Sequence, residues 1–165
     1  MELTIERIDD KHFLPIGDFQ CKIEDKPMES FLKCEAITCD RMGEGNTFLL
    51  VGEDDVIGYY TIKCNAMQFR VDNMNKVYPA IEISRLAVDY RYERQGYGSA
   101  ILNYILESIY ELKKEVGIKY VMLFSVPSAI SFYKDKFKFL EFPEDVNILP
   151  AWELDGCKGM YAVLE

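Results

Sequence analysis

One histidine, one tryptophan and no Cys-x-x-Cys spacing leave little from which to build a metal centre. His12 stands alone, and the five cysteines, Cys21, Cys34, Cys39, Cys64 and Cys157, are scattered and odd in number. Neither a zinc site nor a disulfide framework is expected, and the thiols read as reduced packing residues of a cytoplasmic protein. Apolar stretches are short: none approaches the roughly 18 residues of a membrane span. The opening Met-Glu-Leu-Thr-Ile-Glu-Arg carries acids where an export signal carries bases. Basic residues are scarce, 19 against 28 acidic, for a net charge of −9. Such a chain repels a phosphate backbone unless its basic residues cluster, which disfavours general nucleic-acid binding. Repeats, low-complexity runs and Pro/Gly/Ser linkers are also missing, so the 165 residues, 49% of them hydrophobic, read as one domain over 1–165. A chain of this length buries about 70% of its unfolded surface without staples.

What is present alternates between strand and helix patterns. Residues 2–8 alternate as an opening strand. Asp25 and Pro27 start a helix near 27–41, carried by Met28, Phe31, Leu32 and Ala36 and broken at Gly43-Glu44-Gly45-Asn46. Thr47 to Val51 and Val56 to Met67 are β-branched and aromatic runs across Gly52-Glu53-Asp54-Asp55, the pattern of a hairpin. Ala80 to Val88 is a further strand. A helical period then runs through Ile101, Tyr104, Ile105, Ile109, Leu112 and Val116. Lys119 to Val126 reads as a strand, Pro127 opens a helix to about Lys136, and Met160 to Leu164 is a late strand. The order predicts a mixed α/β domain.

Chemistry concentrates where a strand feeds a glycine-bearing turn and a helix, in Leu86-Ala87-Val88-Asp89-Tyr90-Arg91-Tyr92-Glu93-Arg94-Gln95-Gly96-Tyr97-Gly98-Ser99. Gly96 and Gly98 let the backbone approach a pyrophosphate, which unpaired N–H groups and the positive end of the helix would hold. Arg91 and Arg94 add positive charge in an acidic chain. The plain alternative is a tight turn at a helix start. A dinucleotide is disfavoured, because Ile101 stands where a Gly-x-Gly-x-x-Gly fingerprint needs its third glycine.

The stretch from Ile81 to Leu102 resembles the acetyl-CoA motif of the GNAT superfamily of N-acetyltransferases: Leu-Ala-Val, a short loop, then Gln/Arg-x-x-Gly-x-Gly/Ala. A second match, about 30 residues on, is Val126-Pro127-Ser128-Ala129-Ile130-Ser131-Phe132-Tyr133, similar to the family's helix after the fifth strand. With Val56-Ile57-Gly58-Tyr59-Tyr60 as the central hairpin strand, the resemblance covers nearly the whole chain. Two positions depart from the pattern. Glu93 stands where Gln or Arg is usual, an acid beside the pyrophosphate loop unless it faces solvent or pairs with Arg91 or Arg94, and Lys138 replaces a frequent glycine.

The resemblance implies a GNAT fold of the α/β (α+β) class, a mixed, mostly antiparallel sheet flanked by helices, with a splayed strand pair holding acetyl-CoA as co-substrate and no metal. It implies acetyl-CoA contacts from the backbone of Leu86, Ala87 and Val88, and from Arg91, Arg94, Gln95, Gly96, Tyr97, Gly98, Ser99, Ser128 and Ala129. Tyr133 matches the tyrosine that many members use as general acid toward the CoA sulfur, a task a phenol can perform and Phe cannot. Glu82 lies six residues before Val88, the offset of the catalytic glutamate in histone-type members. It would take the amine proton directly or through water, or else position the substrate.

A narrower resemblance, to the GNAT toxins of bacterial toxin–antitoxin pairs, rests on Phe19-Gln20-Cys21, Met28-Glu29-Ser30-Phe31-Leu32, Gly58-Tyr59-Tyr60-Thr61-Ile62 and Ser84-Arg85-Leu86-Ala87-Val88-Asp89. It implies aminoacyl-tRNA as acceptor, against the charge of −9 unless Lys63, Arg70, Lys76, Arg85, Arg91 and Arg94 cluster at the cleft. A small amine or a protein amino group is favoured over charged tRNA, and no membrane is expected. Family habit makes a homodimer an open alternative, and Pro143 to Lys158 with Trp152 covers either the acceptor side or a dimer contact. The competing readings are a module that binds acetyl-CoA without catalysis, which the Glu93 and Lys138 departures favour, and a structural partner that binds no CoA.

Overall fold

The computed structural model describes residues 2–143, 146–147 and 156–165. In chain order its strands and helices are β1 (Thr4–Arg7), α1 (Phe13–Gly17), α2 (Lys26–Cys34), α3 (Ala36–Met42), β2 (Asn46–Val51), β3 (Val56–Val71), β4 (Met74–Val88), α4 (Tyr97–Lys113), β5 (Tyr120–Ser125), β6 (Leu140–Glu141), β7 (Val146–Asn147) and β8 (Lys158–Val163). The mixed α/β class matches the sequence expectation. The chain divides into two compact units, Met1–Lys63 with Ser84–Ser108 and Cys64–Ile83 with Ile109–Glu165, so that β3, β4 and α4 contribute residues to both.

In the first unit β1 pairs antiparallel with β2, from Thr4 opposite Val51 to Arg7 opposite Phe48. β2 in turn pairs antiparallel with the first half of β3, from Asn46 opposite Ile62, with an irregularity between Leu50 and Val51. The turn between them is closed by the Gly52 N–H on the Asp55 carbonyl at 2.9 Å. Phe19, Phe31, Leu32, Ala36, Leu49 and Tyr59 form the buried core of this unit. Tyr59 keeps its polar end satisfied there, its hydroxyl donating to the Met28 carbonyl at 2.6 Å. The single helix expected near 27–41 is two, α2 and α3, parted at Glu35 with φ −126°. The apolar period of Met28, Phe31, Leu32 and Ala36 runs through that break without a change of phase, so the pattern carries no sign of it. Gly43, at φ +73°, ends α3 in the left-handed conformation that glycine adopts without strain.

In the second unit β3 and β4 continue well beyond the expected Met67 and Ala80 limits. Asp72 and Asn73, at φ 51° and 62°, join them by the two left-handed residues of a type I′ hairpin. The outer arms carry exposed Arg70, Val71, Met74 and Val77, which removes the buried alternation by which a strand is read. β4 pairs parallel with β5 through Ala80–Ile83 and Tyr120–Leu123. β5 pairs antiparallel with β8, β8 with β6, and β7 with β3. Met67, Ala80, Tyr120 and Met122 are the buried centre, ringed by Phe69, Tyr78, Phe142 and Tyr161. The helix expected from Pro127 begins as a 3-10 turn over Pro127–Ala129 and becomes a π-helical turn over Phe132–Lys136. Most of the Pro143 to Lys158 segment, Trp152 included, lies outside the described residues.

Candidate active site

The glycine turn of the first unit is built around a buried carboxylate. Asp89 is fully buried at the end of β4. Its Oδ1 accepts the Arg91 N–H and Nε, both at 2.9 Å, while Oδ2 accepts Arg91 Nη2 at 3.0 Å and the Gln20 N–H at 2.9 Å. Burial pushes the Asp89 carboxyl upward, but the Arg91 guanidinium and the two backbone amides outweigh it and hold the group below its ordinary value. Tyr90 N–H returns a bond to the Gln20 carbonyl at 2.9 Å. Arg91, expected to add positive charge beside the turn, pairs with Asp89, and that carboxylate fastens the segment around Gln20 to the strand end. Glu93 neither faces bulk water alone nor pairs with Arg91 or Arg94. Its partner is Lys22, with 3.7 Å between Nζ and Oε1, on the same fastened segment.

Past Glu93 the chain turns twice through left-handed backbone, at Arg94 with φ 60° and at Gly96 with φ 87°. The helix α4 starts immediately afterwards at Tyr97 and runs for 17 residues. The Ala100 N–H bonds the Gly96 carbonyl at 3.0 Å, so the N–H groups preceding it in the first turn have no intrahelical acceptor. Free amides and the positive helix end favour an anion at this point. The turn is held close to the sheet by Gly58. A Cβ there would stand 2.8 Å from Ile101 Cδ1 on α4 and 2.9 Å from the Ala87 carbonyl oxygen on β4. Leu86, Ala87 and Val88 are half-buried strand residues, able to present backbone groups.

The second unit holds the two residues expected to do proton chemistry. Tyr133 lies in the π-helical turn, 8% exposed, with its ring against Phe132 and Phe139 at 5.0 and 5.9 Å between centroids. Burial pushes its phenol well above the ordinary value, which keeps the proton on the oxygen at neutral pH. Glu82, 6% exposed in β4, accepts a hydrogen bond from Asn65 Nδ2 at 3.1 Å. Asn65 was not singled out from the sequence, where a lone Asn in a strand carries no signal. Ser128 and Ala129 sit in the 3-10 turn that precedes Tyr133, Ser128 exposed and Ala129 half-buried. Lys138, the other departure from pattern, occupies a left-handed position at φ 62° and donates from Nζ to the Asp135 carbonyl at 2.8 Å. The backbone there is the one a glycine would relieve.

Of the six basic residues that a tRNA surface would need, two are engaged inside the first unit. Arg91 is paired with Asp89, and the Arg85 guanidinium lies 4.6 Å above the Phe31 ring. Among the described residues no group of His, Cys, Asp and Glu is arranged to hold a metal ion, and no helix is long and apolar enough to cross a membrane.

The family model described as "Acetyltransferase (GNAT) domain" matches residues 44–137, more than half of the chain. The chain belongs to the GNAT acetyltransferase family. No curated protein matches this GNAT sequence. Solved structures share its fold along nearly its whole length. A structure described as a bacterial toxin has a TM-score of 0.82 at 17% identity, covering 98% of this chain and 90% of that one. A tyrosine-to-phenylalanine mutant of the toxin AtaT, bound to the C-terminus of the antitoxin AtaR and to acetyl-CoA, gives 0.76 at 20%, covering 99% and 94%. AtaT complexed with acetyl-methionyl-tRNAfMet gives 0.75 at 18%, covering 98% and 95%.

Proposed function

We propose that this GNAT domain is an acetyl-CoA-dependent N-acetyltransferase in which a primary amine attacks the thioester directly within a ternary complex. The observation that carries the reading is the turn at Gly96. Left-handed backbone opens straight into α4 and leaves a group of amides with no acceptor of their own, a fit for the pyrophosphate of acetyl-CoA.

The roles follow from what the reaction needs. The backbone of Leu86, Ala87 and Val88 receives the pantetheine arm and polarises the thioester carbonyl. Gln95 to Ser99, with Arg94, hold the pyrophosphate, and Ser128 and Ala129 line the cofactor on the side of the later helix. Glu82 takes the proton that the neutral amine sheds as it attacks, directly or through one water. Nitrogen then forms its bond to the carbonyl carbon, the C–S bond breaks, and Tyr133 supplies the proton to the departing sulfur. Arg91 acts at one remove, by fastening the Gln20 segment.

The acceptor class is a small amine or a protein amino group, in keeping with the net charge of −9. A second reading, acetylation of the amino group of aminoacyl-tRNA, is favoured by full-length likeness to AtaT, one of whose structures contains acetyl-methionyl-tRNAfMet. The engagement of Arg85 and Arg91 weighs against it. The test is thiol release from acetyl-CoA with spermidine, free amino acids, lysine peptides and charged tRNAs. Release with one class, lost in Tyr133→Phe, supports transfer and names the acceptor. Silence with all of them while acetyl-CoA still binds leaves a non-catalytic binding module.

A further inference from the structure

Glu82 does not hold its orientation alone. Asn65, on the neighbouring strand β3, has its side-chain carbonyl oxygen engaged by the Ala66 N–H at 2.7 Å. That bond settles which end of the amide is which: Oδ1 is the acceptor, so Nδ2 is the end that faces Glu82, where it donates to Oε1 at 3.1 Å. Both residues are held by regular strand on either side; Asn65 is half-buried, and Glu82 is buried, which is unusual for a glutamate. A carboxylate in a strand has two side-chain torsions before its terminal group and several rotamers open to it. A donor that is itself locked by the main chain removes most of that freedom.

We infer that Asn65 is a positioning residue for the proposed base: through the Ala66–Asn65–Glu82 relay, the main chain of β3 sets the direction in which the Glu82 carboxylate faces the acceptor amine. The inference rests on the proposed role of Glu82 and deepens it. Asn65 itself touches no substrate. Its effect is confined to the geometry of proton removal, where a misplacement of about 1 Å can lower a rate by as much as a hundredfold.

The experiment follows thiol release from acetyl-CoA with spermidine, a lysine peptide and methionyl-tRNA as amine probes, in the full chain. Variants are Asn65→Ala, Asn65→Gln, Glu82→Gln and the double variant Asn65→Ala with Glu82→Gln. Circular dichroism and calorimetric titration with acetyl-CoA check that each is folded and loaded. The expected result for Asn65→Ala is a fall in kcat of about tenfold or more with KM for acetyl-CoA unchanged, partly restored in Asn65→Gln, which keeps the amide donor. In the Glu82→Gln background the Asn65→Ala change adds nothing further. Equal kcat in wild type and Asn65→Ala, or a loss that persists undiminished in the Glu82→Gln background, overturns the positioning role. Full turnover in Glu82→Gln overturns the proposed base, and silence of the wild type with all three probes overturns the transfer reading.

Discussion

Asp89 and Arg91, two residues apart, form a two-pronged ion pair in which both carboxylate oxygens of a fully buried aspartate meet the guanidinium at 2.9 and 3.0 Å. Removing either partner leaves the other uncompensated, so Arg91→Ala, which strands a fully buried carboxylate, is expected to cost about 3 kcal/mol of stability and Asp89→Ala somewhat less, because the Arg91 left behind is partly exposed to water. Chemical denaturation measures both. Calorimetric titration should show Arg91→Lys binding acetyl-CoA almost as well as wild type, because the guanidinium is already engaged.

The same pair sets an acid limit. Asp89 is held below its ordinary value in the folded state. Its contribution is fully present above the unfolded value near 3.9 and is lost as pH falls through the lower folded value. Wild-type stability is expected to drop below about pH 4, and Asp89→Asn to flatten that slope. A pH series of denaturation curves for the two proteins reads the difference directly.

Tyr133→Phe removes one oxygen from a buried ring and keeps the packing against Phe132 and Phe139. Turnover is expected to fall about 100-fold or more, the usual worth of a general acid, while acetyl-CoA affinity changes little. Steady-state kinetics beside a calorimetric titration separate the two quantities. Unchanged turnover would remove the phenol from the mechanism.

Gly58→Ala forces a methyl against Ile101 and the Ala87 carbonyl. Overpacking of this kind costs about 1–3 kcal/mol. Because the carbonyl that must yield belongs to the strand proposed to hold the thioester, weaker acetyl-CoA binding is expected alongside a lower Tm.

Lys138→Gly relieves a left-handed residue and should leave stability unchanged or raise it by up to about 1 kcal/mol. Lys138→Val, β-branched at the same φ of 62°, should lower it by more. Thermal melts of the two variants have opposite signs if backbone conformation, and not the lysine charge, dominates here.

How much of this was legible in the residues depended on whether a local pattern existed. The turn from Leu86 to Ser99 and the helix after it were readable because glycine at a strand-to-helix junction has a backbone reason. The far half of the β3–β4 hairpin was not readable by burial, since Arg70, Val71, Met74 and Val77 are exposed, although Asp72-Asn73 carried the turn. The pairing of Arg91 with Asp89 was not legible, because a guanidinium beside a phosphate loop and one closing on Asp89 have the same sequence. Only the fold brings the Gln20 amide to that carboxylate. Lys22 as the partner of Glu93 was hidden for the same reason, 70 residues lying between them. His12, the lone histidine, is a cap: its Nδ1 accepts the Asp9 N–H at 3.0 Å.

The pairing of β5 with β8 has a consequence for how the chain is made. The first unit has all its residues by Ser108, so a nascent chain can complete its core and its glycine turn while the rest is still being synthesised. The second unit has no such head start. β5 waits for Lys158–Val163, the last of the described strands, to cover its open edge, and Lys113 waits for the Leu164 carbonyl that its Nζ meets at 2.7 Å. Until then β5 emerges as a hydrophobic strand with one side unpaired, and the unit carrying Tyr133 is the one most exposed to misassembly when translation stalls late.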